Sequence, residues 1–255
     1  MRQFDTVISW QEFRSTLSGR IGFVPTMGCL HAGHAALLAR SLEECDRTIL
    51  SIFVNPAQFN DPKDLERYPR TLEADLALAR ELGVDAVLLP APAMLYPDSY
   101  TYRVQETLFS SQLCGASRPG HFTGVLTVVM KLLNLVQPSR AYFGEKDHQQ
   151  LELIRGMAAA FFMNVEIVGC ATVRDADGLA LSSRNRLLDS RGREAALGLA
   201  NALRSAGSDA DAAQQMTEAG LAVDYVETHA GRRYAAVSVP TATGSVRLVD
   251  NLELP

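Results

Sequence analysis

The sequence predicts an α/β fold, a parallel sheet covered by helices, followed by a smaller α+β domain. Three observations carry that expectation. Short apolar runs alternate with helical patterns as far as residue 173, which is how a parallel sheet with crossover helices reads in sequence. Beyond it the pattern changes to a polar loop, two Ala-rich helical stretches and three short strand candidates. At 255 residues the chain is long enough for one large domain or two smaller ones. The expected division is 1–174 and 175–255.

The first strand is read at 21–24, an apolar I-G-F-V run, with a turn at 25–28 and a helix over 32–45. Apolar runs at 48–54, 85–89, 141–143 and 165–173 supply the remaining strands of the sheet, and helical patterns at 71–82, 121–136 and 146–161 run between them. In the carboxyl-terminal part, helices are expected over 190–206 and 209–220, with strands near Tyr225, Val237 and Leu248. Open sheets of this kind bind ligands beyond the carboxyl ends of their strands, so function is sought in the loops that follow them.

Composition removes several classes of function. With 24 basic and 29 acidic residues the net charge is −5, and no basic tract tracks a nucleic-acid backbone, so no nucleic-acid partner is expected. Cys29, Cys45, Cys114 and Cys170 are scattered without a C-x-x-C pair, which argues for reduced thiols and a cytoplasmic location. The amino terminus lacks the apolar core of a signal peptide, and the apolar run 125–136 is interrupted by Lys131 and Asn134, so no membrane association is expected.

The most informative loop is P-T-M-G-C-L-H-A-G-H, which places His31 and His34 where a strand gives way to a helix. Unpaired N–H groups and the positive end of the helix dipole favour an anion there, and two imidazoles add donors. Gly33 lets a ribose or phosphate approach without a Cβ in the way. The pattern points to nucleotide chemistry. A metal site is the weaker alternative, because histidines at i and i+3 need a third ligand and none is nearby in sequence.

Four further clusters fall on expected ligand loops. S-I-F-V-N-P-A-Q-F ends a strand at Asn55, whose Asn-Pro is turn chemistry, and delivers Gln58, whose amide can read a hydroxyl or carboxylate. Y-P-R-T-L-E-A-D offers Thr71 as an N-cap, with Glu73 and Asp75 in the first helical turn; they complement the dipole, or Asp75 contacts magnesium. G-A-S-R-P-G-H-F-T-G carries Arg118 and His121 and suits an anionic ligand or a subunit contact. F-G-E-K-D-H-Q-Q sets Lys146 against a helix dipole that it opposes, a placement a polyphosphate would explain, with Asp147 able to accept from a ribose hydroxyl. Downstream, D-G-L-A-L-S-S-R-N lines up hydroxyls and a guanidinium suited to phosphate oxygens.

Taken together and in this order, over about residues 22–185, these segments resemble the pantothenate synthetases, the pantoate and β-alanine ligases of the HIGH-type nucleotidyltransferase superfamily. The resemblance implies a Rossmann-like first domain, a small carboxyl-terminal lid and a homodimer. It implies ATP and Mg²⁺, with pantoate and β-alanine as the other small-molecule partners. By the same resemblance Met27, Gly28, Cys29, Leu30, His31, Ala32, Gly33 and His34 line ATP. His34 is the proton donor and His31 a phosphate contact. Gly144, Glu145, Lys146 and Asp147 contact the nucleotide, Lys146 serving its phosphates. Val173 offers backbone to adenine, and Leu181, Ser182, Ser183 and Arg184 close over the phosphates. Gln58 and Gln150 hold pantoate, and Gln58 also borders the β-alanine position. His34, His31, Lys146 and Arg184 form the catalytic set and Asp75 the metal contact.

Two departures qualify the resemblance. Ala74 stands where the family commonly has the first of two acids, which thins the protein's share of a magnesium site, and the lid reads as short. The competing readings are another HIGH-superfamily nucleotidyltransferase, which would lack the two glutamine motifs, and a non-enzymatic nucleotide sensor, which would lack the reactive side chains.

Overall fold

The computed structural model describes residues 1–242 and 244–255. Along the chain run β1 (Arg2–Phe4), α1 (Val7–Thr16), β2 (Ile21–Thr26), α2 (Ala32–Glu44), β3 (Arg47–Ile52), α3 (Pro62–Arg67), α4 (Leu72–Leu82), β4 (Ala86–Leu88), α5 (Pro92–Leu95), α6 (Cys114–Ser117), α7 (His121–Val136), β5 (Arg140–Gly144), α8 (His148–Ala160) and β6 (Glu166–Cys170). Then follow α9 (Ser190–Ser205), α10 (Asp209–Glu218), β7 (Ala222–His229), β8 (Arg232–Thr241) and β9 (Gly244–Glu253).

The first six strands form one sheet in the order β1-β4-β3-β2-β5-β6, and every pair in it is parallel. Successive side chains of a strand point to opposite faces, and the strands divide their residues accordingly. Phe23, Ile49, Leu88 and Phe143 enter an apolar cluster with Trp10, Leu126 and Ile154, whereas their neighbours Val24, Leu50, Val87 and Tyr142 join Leu38 and Ala79 in another. Both faces are therefore dry, as a parallel sheet requires. Chain order reverses at β2, which pairs with β3 on one side and β5 on the other. That reversal is the switch point beyond which ligands bind in open α/β sheets.

The chain forms two compact units, one of residues 1–145 and 149–170, the other of 146–148 and 171–255. In the second unit β7, β8 and β9 make an antiparallel sheet, and Leu199 and Leu203 of α9 with Met216 of α10 pack against Val237 and Leu248. No helix among the described residues is long and apolar enough to cross a membrane. None of the four cysteines is in a disulfide among the described residues.

Three differences from the sequence reading have physical reasons. β1 and α1 have no counterpart in it; β1 has three residues, too few to show alternation, and α1 buries only Trp10. The helix expected from 146 begins at His148 because Glu145–Asp147 wind more tightly, as a 3-10 turn. The small sheet is not short, for β8 and β9 are 10 residues each.

Candidate active site

The turn after β2 is built from its backbone. Gly28 has φ +78°, and a Cβ there would lie 2.9 Å from Asp75 Oδ2, so glycine is required by both conformation and space. Cys29 N–H donates to Asp75 Oδ2 and Leu30 N–H to Asp75 Oδ1, each at 2.8 Å. Thr71 Oγ1 donates to Asp75 Oδ1 at 3.0 Å and makes no capping bond to α4.

Asp75, expected to contact magnesium, is engaged with the backbone of this turn. Its side chain is 3 % exposed and both its oxygens hold the turn that precedes α2. Among the described residues no group of three or more His, Cys, Asp or Glu is arranged to hold a metal ion. The residues present do not fit a protein-held magnesium site.

His31 and His34 cap α2 reciprocally. His31 Nδ1 accepts from Gly33 N–H at 3.1 Å, His34 Nδ1 accepts from His31 N–H at 3.3 Å, and the ring centroids lie 4.1 Å apart. An imidazole whose Nδ1 accepts carries its hydrogen on Nε2. Two Nε2–H donors are thereby fixed at a helix N-terminus beyond the switch point, an arrangement suited to phosphate oxygens.

The second loop follows β3. Asn55, 1 % exposed, precedes a 3-10 turn, Pro56–Gln58, in which Gln58 is 9 % exposed. Gln58 Nε2 lies 3.2 Å from Met27 Sδ, so this loop touches the histidine turn directly. The backbone of Gln58 is held from α7. His121 Nδ1 meets the Gln58 carbonyl at 2.8 Å and Arg118 Nη2 donates to it at 3.2 Å. A carbonyl only accepts, so His121 carries its hydrogen on Nδ1 and its Nε2 accepts from Arg118 Nη1 at 3.2 Å, leaving the ring neutral. At Gly124 a Cβ would meet the Ala57 carbonyl oxygen at 2.3 Å, so α7 approaches the loop too closely for any other residue. The R-P-G-H-F-T-G segment, expected to meet an anion or another subunit, seats the backbone of Gln58.

The remaining candidates separate. Gly144 ends β5 and Glu145 follows it in the first unit, whereas Lys146 and Asp147 belong to the second. Lys146 Nζ pairs with Asp147 Oδ1 at 3.4 Å, and Asn251 Nδ2 donates to the Lys146 carbonyl at 2.8 Å. On α8 two adjacent glutamines differ. Gln149 is buried and bonds the carbonyls of Phe109 and Gln112, each at 2.8 Å, while Gln150 is half-buried. Leu181 N–H donates to the carbonyl of Val173, whose backbone is expected to face adenine, at 3.0 Å. Ser182 Oγ accepts from Arg184 N–H at 3.3 Å and starts the 3-10 turn Ser183–Leu187. Ser183 is buried, so its hydroxyl lies deeper than a solvated loop would place it.

Sequence reasoning missed the roles of Asn55, His121 and Gly124 in seating Gln58. Their only signal was position, a strand end and a helix start with no ligand-like spacing between them.

Comparison with known proteins gives the family. A sequence model described as Pantoate-beta-alanine ligase matches residues 1–253. The chain is 50% identical over 245 residues to a pantothenate synthetase of Bdellovibrio bacteriovorus, covering 96% of each, and 49% identical over 253 residues to one of Legionella pneumophila, covering 98% of this chain and 99% of that one. Its structure superposes with a TM-score of 0.94 on the Francisella tularensis pantoate-beta-alanine ligase complexed with beta-gamma ATP and beta-alanine, at 38% identity and covering 99% and 97% of the two chains. The Thermus thermophilus pantothenate synthetase superposes with a TM-score of 0.89 at 43% identity over the full length of both. Against such relatives the carboxyl-terminal domain is not shortened. The chain belongs to the pantoate-beta-alanine ligase family.

Proposed function

We propose that the two Nε2–H donors capping α2 act on the phosphates of ATP while pantoate is activated, and this paired cap is the observation that carries the assignment of roles. The chain is an ATP-dependent ligase that joins pantoate to β-alanine; by family resemblance it does so through a pantoyl adenylate. Pantoate's carboxylate is a poor electrophile, so one of its oxygens first attacks the α-phosphorus and pyrophosphate leaves. The β-alanine nitrogen then attacks the acyl carbon and loses a proton, and AMP leaves. Neither step needs a covalent nucleophile from the protein; both need alignment and stabilised phosphate charge.

In this proposal His34, the proton donor by family resemblance, donates a hydrogen bond from Nε2 to the phosphates, His31 contacts phosphate, and Lys146 and Arg184 neutralise charge that grows as pyrophosphate departs. Met27 to His34, Gly144 to Asp147, and Leu181 to Arg184 bind the nucleotide, and Gln58 and Gln150 bind pantoate. Magnesium arrives with ATP, its shell made of phosphate oxygens and water, which suits a hard cation that gives up water reluctantly. By family resemblance the second unit serves as a lid, and the protein is a cytoplasmic homodimer.

The test is a single-turnover measurement of pantoate-dependent pyrophosphate release. Lys146→Ala should slow it by about two orders of magnitude, a typical loss for an electrostatic donor, with ATP binding affected less. Unchanged adenylation in that variant would remove Lys146 from the chemistry, and pyrophosphate release with unrelated acids would reject pantoate as the selected substrate.

A further inference from the structure

We propose that Tyr96 is a positioning residue that acts through Asn55 to fix which face of the Gln58 amide the acid substrate meets. The inference rests on the proposed role of Gln58 at pantoate and adds the direction of its hydrogen bonding.

Asn55 is bonded through both ends of its side-chain amide. Its Oδ1 receives Ala57 N–H at 3.3 Å and Tyr96 Oη at 2.6 Å, and its Nδ2 faces the Gly124 carbonyl at 3.2 Å and Gln58 Oε1 at 3.0 Å. A backbone N–H only donates and a carbonyl only accepts, so this amide has one permitted orientation. Two consequences follow. Tyr96 must donate its hydroxyl hydrogen to Oδ1. Gln58 must turn its oxygen toward Asn55, because the reverse would set two NH₂ groups against each other. Gln58 therefore presents Nε2 on its other side, next to Met27 Sδ, and a thioether is only a weak acceptor.

Tyr96 is built to stay a donor. It closes α5, its N–H bonding the Pro92 carbonyl at 2.8 Å. Lys131 Nζ sits 5.0 Å from its ring centroid while donating to the Leu95 carbonyl at 2.8 Å and pairing with Asp98 at 2.9 Å. Tyr100 meets the ring edge-on at 5.3 Å. Burial, with a smaller contribution from Tyr100, pushes the Tyr96 hydroxyl well above the ordinary tyrosine range. No phenolate forms there to reverse the relay.

An outward NH₂ selects chemistry. It meets the carboxylate and hydroxyl oxygens of a hydroxy acid, and it opposes an ammonium group, which offers only further N–H donors. A Gln58 turned the other way would present an oxygen and favour the amine substrate. The relay thus turns a donor, not an acceptor, toward the acid oxygens.

The experiment is a double-mutant cycle on the full chain with steady-state kinetics for all three substrates. Tyr96→Phe keeps the ring and removes the hydroxyl. It should raise the KM for pantoate about tenfold, the scale of a misaligned hydrogen bond to a charged group, with the KM for ATP unchanged. In a Gln58→Ala background the same substitution should have no further effect on pantoate. An equal effect of Tyr96→Phe in both backgrounds would overturn the relay. A Gln58→Ala variant with wild-type pantoate KM would instead overturn the placement of Gln58 at the acid. If Tyr96→Phe does not fold, the side-chain amide signals of ¹⁵N-labelled Gln58 in the unmodified protein decide: they must shift on adding pantoate, and no shift with pantoate overturns the proposal.

Discussion

The loop after β2 and the loop after β3 are both secured by one buried polar side chain, but the two anchors differ in kind. Asp75 accepts from two backbone N–H groups and a hydroxyl; Asn55 both donates and accepts. A carboxylate offers acceptors in every direction, so it fixes where a backbone lies and says nothing about which way a neighbouring amide faces. An amide has a donor edge and an acceptor edge, and so passes an orientation on to the next amide. The histidine turn needs only to be placed, because its rings are oriented by their own helix cap. The glutamine must also be oriented.

The largest test of this contrast is Asp75→Ala. It would orphan the Cys29 and Leu30 N–H groups in the interior, a loss of about 3 kcal/mol or more from the fold. Thermal unfolding should show it together with loss of adenylate formation at saturating magnesium. A variant of native stability whose only defect is a raised magnesium requirement would return Asp75 to the metal.

Gly124→Ala breaks the other anchor with less damage. The added methyl must displace the Ala57–Gln58 backbone at a cost of about 1–3 kcal/mol, and pantoate affinity should fall more than about tenfold while ATP affinity holds. Equal losses for both ligands in calorimetry would mean that Gln58 is not a separate acid-binding element.

Ala74→Asp should have the smallest effect. It restores an acid beside an anchor already engaged, so it should tighten the magnesium requirement only by a modest factor and leave stability within about 0.5 kcal/mol. Magnesium should bind measurably only when ATP is present. Titration calorimetry that finds tight binding to the ATP-free protein would contradict a metal held chiefly by phosphates and water.

Legibility in the sequence followed the range of the interactions. α7 lies at 121–136, where its apolar period places it, and strands β2 to β6 fall within a few residues of their apolar runs, because burial on both faces is written locally. The histidine cap was equally visible, since all its partners lie within three residues. The hold of Asp75 on the histidine turn was not legible, because an acid in a helix's first turn looks alike whether it complements a dipole, binds a metal or reaches 46 residues back to another turn. Arg118 and His121 resemble anion ligands, yet they meet a carbonyl about 60 residues away. Tyr96 sits at the end of a one-turn helix with no periodicity to mark it, and only the folded chain brings it to Asn55.

The chain has one tryptophan, Trp10, and the fold seals it completely, with Nε1 donating to the Leu135 carbonyl at 2.8 Å. Its emission is therefore that of an indole shielded from water, and it reports on the parallel-sheet unit alone. The antiparallel unit is spectroscopically silent at that wavelength, so the gap between a tryptophan melting curve and a far-ultraviolet dichroism curve reads directly whether the two units come apart together or in turn.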